Sequence, residues 1–159
     1  MILPPHHPGP ASAVQAVWHA STLSRHTGAA NATDHFDWYL DLAATLSPRG
    51  QPPASPASPA HTLTTFRVHT PWHRWPTLLN RPGGHIALTL LPLHRRRYLR
   101  YTGPIRNNGH AHVVARTLLR LEEHGDSDDL RLHLRTPLLH GKPLAIRRRA
   151  PNRFDLTHA

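Results

Sequence analysis

The stretch DHFDWYLDL, residues 34–42, sets His35, Asp37, Tyr39 and Asp41 at alternate positions, with Phe36, Trp38, Leu40 and Leu42 between them. In a strand, side chains alternate between faces, and residues two apart project the same way about 7 Å from each other. His35 and Asp37 therefore share a face, while Phe36 and Trp38 anchor the opposite one in apolar packing. An imidazole and a carboxylate so placed can hold two positions around one divalent ion, with a third ligand supplied by a neighbouring strand. His26, in LSRHTG, is the candidate, since eight intervening residues let it pair back onto His35. Two His and one carboxylate with open positions suit Mn, Fe or Zn, and ligand type alone does not choose among them. The same alternation also fits a half-exposed edge strand with a solvated polar face.

A second group lies in LPLHRRRYLRYTGPI, where His94 and Tyr98 stand four apart among Arg95, Arg96, Arg97 and Arg100. His can take or give a proton, a phenol can donate to a developing phosphoryl oxygen, and Arg grips phosphate bidentately. In a straight strand, positions four apart are about 13 Å from each other. The two can touch one phosphate only if the chain bends between them, for instance with His94 in a turn after Pro92. Alternatively, the Arg run is a solvated edge that discourages strand addition. PWHRW, 71–75, either stacks an unpaired base on Trp72 or Trp75 or anchors a core or loop. RRR, 147–149, fits a phosphate-backbone patch or plain basic surface, and His110, His112 and His124 have no partner at a site-like spacing.

The chain that must position these residues has 159 positions, room for one domain with irregular appendages. It has no cysteine, which excludes disulfides and thiolate zinc sites and leaves any metal to His, Asp or Glu. Nineteen basic residues against nine acidic give a net charge of +10, a balance that favours polyanionic partners. Eighteen of the nineteen are Arg, and Pro and Ala are abundant, so compositional bias accounts for part of that charge. MILPPHHPGP lacks the basic start and apolar run of a secretory leader, and no apolar stretch approaches the ~18 residues of a membrane span. A cytoplasmic protein without a membrane partner is expected.

Residues 1–16 read as a flexible arm and 17–159 as the domain, with a Pro/Ser-rich loop at 47–60 too dense in Pro for a helix or central strand. Alternation predicts strands in 34–42, HTLTTFRVHT, HIALTLLPL, RRYLRYTGPI and LRLHLRTPLL, with PLAIRRR following a GK turn and NRFDLTHA as a last edge. HAHVVARTLLRLEEHG is ambiguous: Val113, Val114 and Thr117 favour strand, whereas ARTLLRLEEHG holds helix formers and a terminal Gly. Short strands at hairpin spacing predict a mostly β fold, a compact antiparallel β-barrel with one short helix and long Pro-rich loops.

In order, His26, HFDWYLDL, LTTFRVHTP, HRRRYLRYTGPI and LRLHLRTPLLHGKPLAIRRR resemble the 3′-phosphoesterase domain of bacterial DNA ligase D and its free-standing relatives, over roughly residues 18–158. The resemblance implies a barrel with a metal site on its interior-facing wall. It implies a hydrolase that uses Mn²⁺, with Zn²⁺ as an alternative, to remove a terminal ribonucleoside or a phosphate from the 3′ end of a primer. His26, His35 and Asp37 would hold the metal, and His94 and Tyr98 would act on the scissile phosphate. The implied partners are DNA or DNA/RNA 3′ ends, with a separate ligase or polymerase.

The sequence departs from that pattern at Tyr39, where an Arg is usual two after the Asp, at Thr64 in place of a Lys, and at Thr102 in place of an acid. The step from His26 to His35 is longer than in the family, and the insert at 47–60 is unusual. Losing the Arg removes a bidentate phosphate clamp, which Arg25, Arg96 or Arg106 would have to replace. The alternative is a non-catalytic nucleic-acid or phosphate-binding barrel that has lost activity along with that Arg, and a third reading makes the His residues incidental.

Overall fold

The computed structural model describes residues 18–28, 34–41, 61–106, 108–124, 129–136, 139 and 142–159. The expected arm at 1–16 and the loop at 47–60 lie outside them. Nine strands account for most of these residues: β1 (Trp18–Thr27), β2 (His35–Leu40), β3 (His61–Val68), β4 (Ile86–Arg95), β5 (Gly103–Ile105), β6 (Gly109–His124), β7 (Asp129–Arg135), β8 (Pro143–Ala150) and β9 (Arg153–His158). One short helix, α1 (Trp75–Leu79), follows a 3-10 turn at Trp72–Arg74.

All pairings are antiparallel, in the order β1-β2-β3-β4-β9-β8-β7-β6-β5, and β1 also pairs with β6. That extra pairing closes eight strands into a ring. β5 stays outside it, sharing with β7 the other edge of the long β6. The expected mostly β, antiparallel, closed architecture with one short helix is thus present. β6 is strand throughout, because it carries a ladder on both edges, and those contacts override the helix formers in ARTLLRLEE. β9 is not an edge: it lies between β4 and β8. The stretch expected as one strand from Arg96 to Ile105 instead forms a 3-10 turn, Arg96–Leu99, and only three strand residues.

One apolar cluster fills the ring. It takes Leu23, Trp38, Phe66, Leu88, Leu119, Leu132, Ile146 and Leu156 from the eight ring strands in turn, with Trp75 and Leu79 from α1. A cluster fed by every strand of a closed sheet must be interior, so the Trp38 face of β2 points inward. This corrects the expectation of a metal site on the interior-facing wall: the His35–Asp37 side of β2 faces outward. Trp75 is fully buried, edge-on to Trp38 at 5.3 Å, and Trp72 packs against the same cluster. PWHRW therefore serves as a core anchor through Trp75, with Trp72 half-buried beside it. Among the described residues, no helix is long and apolar enough to cross a membrane.

Candidate metal centre

On the outer face of the ring, β1 and β2 pair with Ser24 opposite Asp37 and His26 opposite His35. This register, together with alternation, gathers His26, His35 and Asp37 on one patch. Ligand-capable atoms of the three lie within 4.8 Å of one another. The imidazoles stack at 5.0 Å between centroids, and Asp37 stands 3.5 Å from His26 Nε2 and 3.7 Å from His35 Nε2. Asp37 is 2% exposed, which is unusual for a carboxylate unless it is paired or ligating. Burial pushes the His26 imidazole below its ordinary value, with Asp37 partly opposing, so the ring is held in the neutral form that binds metal. Two imidazoles and one carboxylate are the donor set expected for Mn²⁺, Fe²⁺ or Zn²⁺, and three such atoms this close fit one ion.

Residues between Leu91 and Arg106 border, together with this patch, an open cavity of about 830 Å³, lined among others by His26, Asp37, Tyr39, His94, Tyr98 and Arg106. A bulge in β4 aims His94. Thr65 pairs with Leu91 but Leu63 with His94, so β4 spends three residues where β3 spends two. The extra residue keeps His94 on the outer face that Leu91 occupies. His94 Nδ1 lies 2.8 Å from the Pro92 carbonyl, which can only accept, so Nδ1 carries a proton and, in the neutral ring, Nε2 is left with the lone pair.

The bend required between His94 and Tyr98 is the 3-10 turn, which brings their rings to 5.6 Å. The turn is fixed at both ends. Arg96 forms a two-point ion pair with Asp41, at 3.0 and 2.8 Å, and the Thr22 hydroxyl donates to the Leu99 carbonyl at 2.9 Å.

The structure thus brings His26, His35, Asp37, His94, Tyr98 and Arg106 to one place. It does not bring Arg25 or Arg96. Arg25 pairs with Asp34 at the surface, at 3.1 Å, and Arg96 is held by Asp41 away from the cavity. Two residues not foreseen as site members join instead. Arg67 stands opposite Asp37 in the β2–β3 ladder, and its Nε donates to Asp37 Oδ1 at 3.2 Å beside the cavity. Tyr39, noted only as a replacement for an Arg, places its hydroxyl 3.1 Å from His26 Nε2 and stacks on Tyr98 at 5.6 Å. Burial and the nearby Asp37 charge push the Tyr39 phenol well above its usual range, so it keeps its proton. Thr64 pairs with Leu40 on the inward face, so the position compared with a family Lys does not face the cavity. Alternation in HTLTTFRVHT already grouped Arg67 with Thr65, but only the register of β3 against β2 reveals its partner.

In comparison with known proteins, the chain matches no protein-family model and no curated protein sequence.

Proposed function

We propose that the chain is a divalent-metal-dependent phosphoesterase acting on 3′ ends of nucleic acid, with Mn²⁺ as the metal, as its resemblance to the ligase D phosphoesterase domain implies. The observation that supports this most is the convergence of His26, His35 and Asp37 beside a cavity that also holds His94, Tyr98 and cationic side chains. A bound divalent ion supplies Lewis-acid polarisation of a phosphoryl oxygen. The remaining steps belong to the protein. The Tyr39 and Tyr98 hydroxyls donate to phosphoryl oxygens, and Arg67 and Arg106 offset the charge that develops there. His94 Nε2 takes a proton from the attacking water as the new P–O bond forms. The bond to the 3′ oxygen breaks, that oxygen takes a proton from solvent water and leaves as a hydroxyl, and His94 returns its proton to solvent. Repair of DNA ends in the cytoplasm, alongside a separate ligase or polymerase, is the setting this activity suits.

Purified protein with Mn²⁺ is expected to release phosphate from a 3′-phosphorylated primer, and His35→Ala to abolish that release. Equal release by both proteins refutes the site. One observation favours the non-catalytic binding module instead: Arg67 already neutralises Asp37 and competes with a cation for it. Oligonucleotide binding that steepens at low salt, with no turnover in any divalent metal, selects that reading.

A further inference from the structure

The 3-10 turn Arg96–Leu99 has a cavity on either side. One is the metal cavity; the other is an open groove of about 1130 Å³ on the outer wall of β1, β6 and β7. Its floor is the run Ala20, Thr22, Arg116 and Leu118, set by the pairing of Ala20 with Leu118 and of Thr22 with Arg116. Arg97, Arg100 and Arg135 line it as well, and no acidic side chain does. Of its arginines, only Arg96 has an acidic partner among the described residues. Exposed guanidinium groups gathered along one groove with few acidic partners create a positive potential that attracts a polyanion.

Two features narrow the polyanion. The floor exposes apolar surface: Leu118 is 42% exposed, and two residues before Ala20 on the same outward row, Trp18 is 39% exposed, with Arg120 5.9 Å over its ring. Arginines flanking exposed aromatic and apolar side chains suit unstacked bases and a phosphate backbone together, which a single strand offers and a closed duplex does not. The groove also runs toward the metal cavity. Arg97 lines both and lies over the Tyr98 ring at 5.1 Å and near that of Tyr101 at 5.8 Å. Along β1, His26 and Ala20 are separated by about 20 Å, the reach of a few nucleotides.

We propose that this groove binds single-stranded nucleic acid, with phosphates on Arg97, Arg100, Arg116 and Arg135 and a base on Trp18, and that the strand crosses the 3-10 turn at Arg97 to deliver its terminal phosphate to the metal cavity. Only the delivery rests on the proposed phosphoesterase function; the binding does not.

The test is fluorescence anisotropy of a labelled oligothymidylate of about 12 nucleotides, measured in EDTA across a salt series. Wild-type protein binds with an affinity that falls steeply as salt rises. The exposed-site variant R100Q/R116Q/R135Q loses at least tenfold in affinity at low salt, and its log–log salt slope is shallower by about 2, near 0.7 for each phosphate contact removed. Should the triple variant not fold, Arg116→Gln alone gives a slope change of about 0.7. Trp18→Ala weakens binding roughly tenfold without changing the slope. Unchanged affinity and slope in the arginine variants overturn the proposal. So does equal competition by a blunt hairpin duplex, which makes the groove a duplex seat, or by polyglutamate, which makes it an acidic-protein surface. Mn²⁺-dependent phosphate release from a 3′-phosphorylated primer by the wild-type protein is read in parallel. Its absence alongside intact oligonucleotide binding defeats the phosphoesterase reading and leaves the groove standing.

Discussion

Asp37→Asn separates a metal centre from a buried ion-pair network. In the metal-free protein Asp37 receives Arg67 Nε at 3.2 Å and sits between two imidazoles. The amide keeps an acceptor for Arg67 and loses only the charge. The Arg67 side chain is 37% exposed, so water screens what the charge contributed. A destabilisation of about 1 kcal/mol is expected, well short of the 3–5 kcal/mol for severing a fully buried pair. With metal the contrast grows. An ion at a hundredfold excess over its dissociation constant stabilises the folded state by about 2.7 kcal/mol, which raises the melting temperature by roughly 5–11 °C for a domain of this size. An amide is a poor substitute for the one anionic ligand, so the variant forfeits most of that rise. Thermal melts of both proteins in EDTA and in a Mn²⁺ series give the two increments directly. Equal rises in wild type and variant, or no rise in either up to millimolar metal, refute the centre.

Two further predictions concern the apoprotein. Burial holds His26 below the 6.5 at which it titrates when exposed, so below pH 6.5 the unfolded chain takes up a proton that the folded protein refuses. Stability conferred by His26 is therefore full above pH 6.5 and declines as pH falls toward the folded-state value, an effect seen as a flatter pH dependence of the urea midpoint in His26→Gln. A steeper dependence in the variant contradicts the assigned direction. Trp75→Ala empties the end of the apolar cluster against Trp38 and is expected to cost about 3–5 kcal/mol in urea unfolding; a loss below about 1 kcal/mol rejects its place in the core.

Local pattern carried the parts of the site that depend on local geometry. Alternation in HFDWYL grouped His35 with Asp37, and a short return placed His26 beside them, as the β1–β2 ladder has it. Alternation separates two faces, however, without saying which one a closed sheet turns inward. The answer lies in the β1–β6 contact, between residues some ninety positions apart. Arg67 escaped notice for the same reason, since its partner depends on the register of β3 against β2. The bend at Arg96–Leu99 was required by the His94–Tyr98 chemistry but not written in RRRYLR, whose residues are compatible with strand. It is tertiary fastening, by Asp41 on one side and Thr22 on the other, that holds it.

The surplus residue in β4 bears on how relatives of this chain ought to be judged. Running β4 against β3 without the bulge would leave every ligand, phenol and guanidinium in place by identity, yet set Leu93 opposite Leu63 and turn the His94 imidazole to the other face, toward the apolar cluster. A column-by-column inventory would score such a protein as intact, although its proton carrier faced the wrong way. The pairing at that single point is thus as diagnostic as the letters around it.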